Sequence, residues 1–122
     1  YATFLAAAKL PLLPKQHTGS TNILPLLQGE NLKERALFWH YPHYSNQGGS
    51  PGSAIRKGDW KLIRWYESGK EELFNLKNDI GEQKNLIKQE PKIAKNLAKQ
   101  LDKWLKNEKA LFPEKNPAYV VK

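Results

Sequence analysis

The sequence lacks cysteine and methionine entirely among its 122 residues. Without cysteine the chain can form no disulfide, cysteine-ligated zinc site, iron–sulfur cluster or thiol nucleophile. Apolar runs also stay well below the roughly 18 to 20 residues that span a bilayer, and the opening residues lack the features of a signal peptide. We expect no membrane segment, and we expect the chain to be a piece of a longer protein because it has no initiator methionine.

Aromatic and basic residues are plentiful. The chain has 4 Trp, 5 Tyr and 4 Phe, and its 20 Lys and Arg against 12 Asp and Glu give a net charge of +8. This much large apolar surface is typical of a folded chain, and the length suits one small core. The positive charge lies mostly at the end, since residues 84–122 hold ten lysines against four acidic residues.

The pattern divides the chain into residues 1–34 and residues 35–122. The first part is predicted to be the end of a preceding helix followed by a connecting segment, because Pro11 and Pro14 stop the helical spacing. Within the connecting segment, NILPLLQGE predicts a short helix that ends at Gly29 and holds Pro25 in its first turn.

Strand patterns occupy the region from residue 36 to residue 76. Alternation and turn residues predict four strands in ALFWHY, SAIRK, DWKLIRWY and EELFNL, with hairpin turns at residues 57–59 and 67–70. Residues 45–53, rich in glycine, are predicted to form a loop. Both faces of the third strand carry bulky groups, so we expect a helix to cover one face and another domain to cover the second.

A long amphipathic helix is predicted to begin near Pro91. Its apolar stripe comprises Ile93, Leu97, Leu101, Trp104 and Leu105. Its opposite face carries Lys92, Lys95, Lys99, Lys103 and Lys106. The expected fold class is therefore α+β, a four-stranded antiparallel sheet with the C-terminal helix packed across it, followed by an irregular tail.

Two histidines stand out because they flank Pro42 in WHYPHY. His40 and His43 could ligate a metal, transfer protons, bind a polar ligand or simply pack, and no third ligand at a usual spacing supports a metal site. The following GGSPGS offers backbone amides that can cradle an anion, but it is not a Walker loop. No nucleophile with its base can be assembled, and turn roles are expected for Asp79 and Glu82.

The lysine-rich helix leaves two interpretations open. It could bind nucleic acid or an acidic polysaccharide as an independent basic module, or it could be an ordinary solvated face. The lysines are evenly spread, arginine is scarce and no nucleic-acid motif is present, so we expect neither nucleic-acid nor membrane binding.

Three ordered segments carry a family resemblance. NILPLLQGE is similar to a "G-x-S-L-L-P-L-L-x-G" segment, AIRKGDWKLI to an "R-x-G-x-(W/Y)-K" strand, and ELFNLKNDIGEQKNL to "E-L-Y-(D/N)-L-x-x-D-x-x-E-x-x-N-L". Over residues 21–119 the chain resembles the carboxy-terminal region of the bacterial type I, formylglycine-dependent sulfatases (arylsulfatases). The resemblance implies an α+β subdomain packed against an α/β catalytic domain of the same protein.

The resemblance also implies where the chemistry resides. In the family, the catalytic domain holds a formylglycine made within C-x-P-S-R or a related motif and a calcium ion, and none of those motifs occurs in this sequence. We therefore expect this chain to be inactive alone, with no cofactor of its own. The expected substrate of the full-length parent protein is a sulfated carbohydrate or aryl sulfate ester. The parent protein is expected to be periplasmic or secreted.

Substrate-contact candidates follow from the same resemblance, since this subdomain can border the substrate cleft. They are His40, His43, Tyr44, Gly48, Gly49 and Ser50, with Arg56 next. We also expect an apolar patch on the second sheet face; if the tail covers it, Phe112 and Tyr119 are the expected lids.

Overall fold

The computed structural model describes residues 1–114 and 116–118. Its contacts divide the chain into two compact units, Tyr1–Glu34 and Arg35–Lys122. Within the described residues, neither unit contains a helix with the length and apolar character needed to cross a membrane.

The first unit consists of two short helices, α1 (Ala2–Ala7) and α2 (Leu24–Leu27). Side-chain oxygens join their ends: Ser20 Oγ accepts from the Ala2 amide at 3.1 Å, and Thr3 Oγ1 accepts from the Ile23 amide at 3.0 Å. Pro25 lies in the first turn of α2, as expected. That this unit is the end of a helix and a connecting segment of a larger protein stays a prediction.

The second unit contains the predicted four-stranded antiparallel sheet, in the order β1-β2-β3-β4. The strands are β1 (Leu37–Tyr41), β2 (Gly52–Lys57), β3 (Trp60–Trp65) and β4 (Glu71–Asn75). The strand ends match the expectation to within one residue, and β2 begins at Gly52, which was expected to lie only in the loop. Gly52 pairs with both Tyr41 and Trp65, so the two neighbouring strands extend the ladder to this residue.

The helix α3 (Pro91–Asn107) covers one face of this sheet and confirms the predicted fold class. The register aligns Phe38, Ile55, Leu62 and Leu73 across the four strands. Because directly opposed residues share a face, this row points to α3. Leu97, Leu101 and Leu105 pack against it, and Ile55, Leu62, Leu73 and Leu101 are fully buried. Each such side chain stabilises the fold by about 1.5–3 kcal/mol.

A turn-rich connector follows β4, and Asp79 organises it. Its two carboxylate oxygens accept from the amides of Gln83, at 3.0 Å, and Lys84, at 2.8 Å. These backbone hydrogen bonds lower the pKa of Asp79 below its ordinary value of 3.8. Glu82 instead binds Lys61 Nζ at 2.6 Å, which anchors the connector to β3. The turn role expected for Asp79 is thus confirmed, whereas the side chain of Glu82 forms an ion pair with β3 instead.

We predict that Asp79→Asn reduces the loss of folding stability as the pH falls below neutrality. A carboxyl whose pKa is lower in the folded state contributes stability above its unfolded pKa, and this contribution is lost as pH falls through the folded pKa. Urea unfolding between about pH 6 and about pH 3 should therefore show a smaller loss of stability in the variant. Asp59→Asn is the control, because its side chain makes no hydrogen bond within the described residues. Equal slopes for Asp79→Asn and the unchanged chain would contradict the prediction.

Candidate functional site

The end of the sheet that carries the loop after β1 brings most of the candidate residues together. β1 ends where β2 begins, and β3 ends beside the same point, because the strands are antiparallel. Residues 42–51 link β1 to β2 at this end, and residues 66–70 link β3 to β4. We call this region the loop end.

His40 lies at the loop end, on the sheet face that points to α3. Its Nδ1 is 2.7 Å from Ser53 Oγ and 3.0 Å from the Tyr66 hydroxyl, and these two hydroxyls also bond to each other. Its Nε2 is 2.7 Å from the carbonyl oxygen of Leu111. A carbonyl only accepts, so Nε2 carries a proton and donates to it, while Nδ1 shares a hydrogen bond with the two hydroxyls. Both ring nitrogens are therefore already bonded within the chain.

Phe112 closes this cluster from the tail. Its ring meets the rings of His40 and Tyr66 edge-on, with centroid distances of 5.6 Å and 5.4 Å. It therefore covers the helix-facing side and not the second face of the sheet, where a lid was expected. Tyr119, the other expected lid, lies outside the described residues.

Charged groups on the same face stand next to the His40 cluster. Arg64 binds Glu71 Oε1 at 2.7 Å and also pairs with Asp102 of α3. Burial lowers the pKa of Arg64, but the hydrogen bonds and charges of Asp102 and Glu71 outweigh it and raise the pKa overall. Burial raises the pKa of Tyr66, against the opposing hydrogen bond from Ser53. Both groups thus keep their usual charge state at neutral pH: Arg64 charged and Tyr66 neutral.

The loop between β1 and β2 contains the left-handed backbone conformations that its glycines predict. Gly48 and Gly49 have φ of 89° and 112°, which few other residues adopt. The Gly48 amide donates to the Ser45 carbonyl at 3.2 Å, whereas the amides of Gly49 and Ser50 make no hydrogen bond within the described residues. Ser50 Oγ donates to Glu67 at 3.3 Å. Of the predicted anion-binding amides, two remain available.

The other candidates are distributed unevenly. His43 follows β1 and packs edge-on against Tyr41 with a centroid distance of 5.5 Å, and Tyr44 next to it is 65% exposed. Arg56 lies apart from the other candidates. Its strand partner is Leu37, which precedes His40 by three residues, so Arg56 lies on the sheet face opposite to His40. The structure therefore gathers His40, His43, Tyr44 and residues 48–50 at the loop end, but not Arg56.

The second face of the sheet, which we call the outer face, is aromatic. Trp39 and Tyr41 of β1 are 51% and 54% exposed, and the half-buried Ile63 and Trp65 of β3 lie on the same face, on the far side of β2. Gly52 is required here, because a Cβ at this position would lie 2.8 Å from the Arg64 carbonyl oxygen and 3.1 Å from the Trp65 ring. Any larger residue at this position would displace the Arg64 backbone or the Trp65 ring.

Sequence reasoning missed four members of the His40 cluster: Ser53, Tyr66, Leu111 and Phe112. Only one signal pointed to them. The alternation in β3 continues from Trp60 and Leu62 to Arg64 and Tyr66, so polar groups interrupt a face that otherwise packs on α3. Such an interruption indicates buried polar partners on that face.

Metal chemistry finds no support in this region. Over residues 1–114 and 116–118, no three His, Cys, Asp or Glu side chains are grouped so that they could hold an ion. The residues of this chain therefore do not fit the calcium site that the sulfatase resemblance implies for the parent protein.

An antiparallel sheet with one crossing helix also occurs in known proteins. Residues 1–110 match the family described as N-sulphoglucosamine sulphohydrolase, C-terminal. The chain therefore belongs to this family of sulfatase C-terminal regions, and the predicted resemblance is confirmed.

Individual relatives are also sulfatases. The chain is 34% identical over 114 residues to a sulfatase of Formosa agariphila, covering 83% of this chain and 21% of that protein. It is 34% identical over 92 residues to a delta 4,5-hexuronate-2-O-sulfatase of Bacteroides thetaiotaomicron, covering 70% and 18%. The structure of a 2-O GAG sulfatase superposes with a TM-score of 0.70 at 26% identity, covering 94% and 26%. This chain thus spans about a fifth of the length of its curated relatives.

We predict that Tyr66→Phe lowers the free energy of unfolding by about 0.5–1.5 kcal/mol, because it removes one hydroxyl from the partly buried cluster while keeping the ring. Tyr41→Phe on the outer face is the matched control and should cost little, since Tyr41 is 54% exposed. Urea denaturation followed by tryptophan fluorescence measures both. Equal effects of the two substitutions would contradict the proposed hydrogen-bond cluster.

Proposed function

We propose that this chain is the C-terminal region of a sulfatase that hydrolyses sulfate esters on carbohydrates. The observation that carries the proposal is the family match over residues 1–110. The sulfatase relatives support it, and their greater length accounts for the absence of catalytic motifs in this chain. Nothing in these comparisons supports the alternative of an independent basic binding module.

The catalytic groups belong, in this proposal, to a preceding α/β domain of the same protein. That domain would hold the formylglycine and the calcium ion that the family resemblance implies, since this chain has no cysteine and its described part has no suitable group of acidic residues. There the modified residue would supply the nucleophile and the calcium ion the charge stabilisation for sulfate-ester cleavage. This chain contributes structure and contacts at the edge of the cleft, and it is inactive alone.

The outer face is the surface we assign to the catalytic domain. Trp39 and Tyr41 expose half of their area there, and Trp65 continues the aromatic surface across Gly52. Exposed aromatic side chains grouped on one face of a small domain are typical of an interface. The relatives are about five times longer than this chain, so a large domain is available to cover it. Arg56, on this same face, is a better candidate for that interface than for the substrate.

The loop end is the part we place beside the substrate. The free amides of Gly49 and Ser50 are suited to a sulfate oxygen, and the exposed rings of His43 and Tyr44 are suited to a sugar. His40 acts differently. Because both of its nitrogens are bonded to the chain, it positions the end of β1 and the tail rather than contacting substrate.

A sulfated polysaccharide fragment is the substrate class we favour over a small aryl sulfate ester. Two of the relatives are described as sulfatases of a hexuronate and of a GAG. We further propose that the parent enzyme is periplasmic or secreted, as the resemblance to exported bacterial sulfatases implies.

The test is sulfate release by the longer protein that contains this chain. After mass spectrometry verifies the formylglycine, the protein should release sulfate from sulfated oligosaccharides, and this chain alone should not. His43→Ala should raise KM severalfold with a smaller effect on kcat, because it removes ground-state contact to the sugar. Lys77→Ala, an exposed connector residue, is the control. A formylglycine-containing protein with no activity on any sulfate ester would overturn the proposal.

A further inference from the structure

The exposed face of α3 carries a row of five lysines, which we call the lysine row: Lys92, Lys95, Lys99, Lys103 and Lys106. We propose that the lysine row is a second binding surface for the sulfated polysaccharide, outside the catalytic cleft. This inference rests on the proposed function, because it takes the polymer as the substrate of the parent enzyme.

The geometry of α3 makes the row continuous. Its lysines are spaced by three, four, four and three residues, which keeps them within about one quarter of the helix circumference. They lie opposite the buried stripe of Leu97, Leu101 and Leu105 and are all exposed. At 1.5 Å per residue the row is about 21 Å long. A line of charge of this length matches an extended polyanion better than a single small anion.

The charge on this face is uncompensated. Asp102 is the only acidic residue within α3, and Arg64 of the sheet already pairs with it. Among residues 1–114 and 116–118, no lysine of the row forms an ion pair; the cations that do are Lys61 and Arg64. An ordinary solvated helix often carries lysines paired with acids three or four residues away. In α3 the acid at such a spacing is Asp102, and it is already paired with Arg64 of the sheet.

Polar amides complete the surface. A shallow groove runs beside the row and is lined by Lys92, Lys95, Asn96, Lys99, Gln100 and Lys103. Gln100 Nε2 donates to Asn96 Oδ1 at 2.5 Å, and Lys57 Nζ donates to Gln100 Oε1 at 3.4 Å. The groove thus alternates ammonium groups with amide donors and acceptors, which suit the sulfates and hydroxyls of a sulfated sugar chain.

Nucleic acid fits the same surface less well. Single-stranded nucleic acid is held by aromatic platforms as well as by charge. The only aromatic side chain of α3, Trp104, stacks on Phe38 in the core with a centroid distance of 4.9 Å. The helix also contains no arginine, the residue that most often contacts bases and phosphates in a bidentate manner. The observations therefore favour a sulfated carbohydrate.

The experiment measures binding of a defined heparin oligosaccharide to the full 122-residue chain at several salt concentrations. The row variant replaces Lys95, Lys99 and Lys103 with glutamine. The control variant replaces the exposed connector lysines Lys77, Lys84 and Lys88 with glutamine, so both variants lose the same charge. Circular dichroism verifies that both remain folded. Unsulfated hyaluronan and a DNA strand of matched charge are the comparison ligands.

We expect the unchanged chain to bind heparin and the row variant to lose at least about tenfold in affinity at low salt. Its slope of log affinity against log salt should fall by about 2, since three lysines no longer release counterions. The control variant should lose about threefold or less in affinity for heparin, because its substitutions lie outside the lysine row and change only the long-range electrostatic attraction. Hyaluronan should bind more weakly than heparin.

Other results would overturn the inference. No heparin binding at low salt, or equal losses in the two variants, would show that the lysine row is a solvated face. DNA binding as tight as heparin binding would assign the row to nucleic acid. The measurement needs no catalysis. A longer protein without sulfatase activity therefore defeats the proposed function and leaves row-dependent heparin binding as a separate result.

Discussion

Apolar side chains on both faces of a four-stranded sheet impose the constraint on which the rest of this structure depends. One face presents the row from Phe38 through Ile55 and Leu62 to Leu73, and α3 seals it with its leucine stripe. The other presents Trp39, Tyr41 and neighbouring residues to the surface. One helix covers one face. The amphipathic character of α3 and its single buried stripe both follow from that task.

At the loop end, polar contacts replace the apolar packing between the sheet and the end of the chain. Arg64 joins the sheet to Asp102 of α3, and His40 holds the Leu111 carbonyl after the helix has ended. These bonds tie the tail to the strand from which the candidate loop departs. A substrate contact in residues 42–51 would therefore sit on an element whose end is fixed by several side-chain hydrogen bonds, which is how a precise contact is maintained on a loop.

Local signals predicted most of this fold. Alternation in β3, the Gly58 turn, Pro91 and the spacing of Leu97, Leu101 and Leu105 each depend on neighbours within a few residues. Non-local contacts escaped prediction. The extension of β2 to Gly52 depends on pairing with two other strands, and the His40 cluster joins residues up to 71 positions apart. Position along the chain carries no information on such partners; only the assembled sheet brings them together.

The central claim is that the outer face is an interface with a catalytic domain, and hydroxyl-radical footprinting tests it most directly. Oxidation of Trp39 and Tyr41 would be compared in this chain alone and in the longer protein that contains it, with exposed Tyr44 of the loop end as an internal reference. The account predicts strong protection of Trp39 and Tyr41 in the longer protein. Equal oxidation of both residues in the two samples would contradict it.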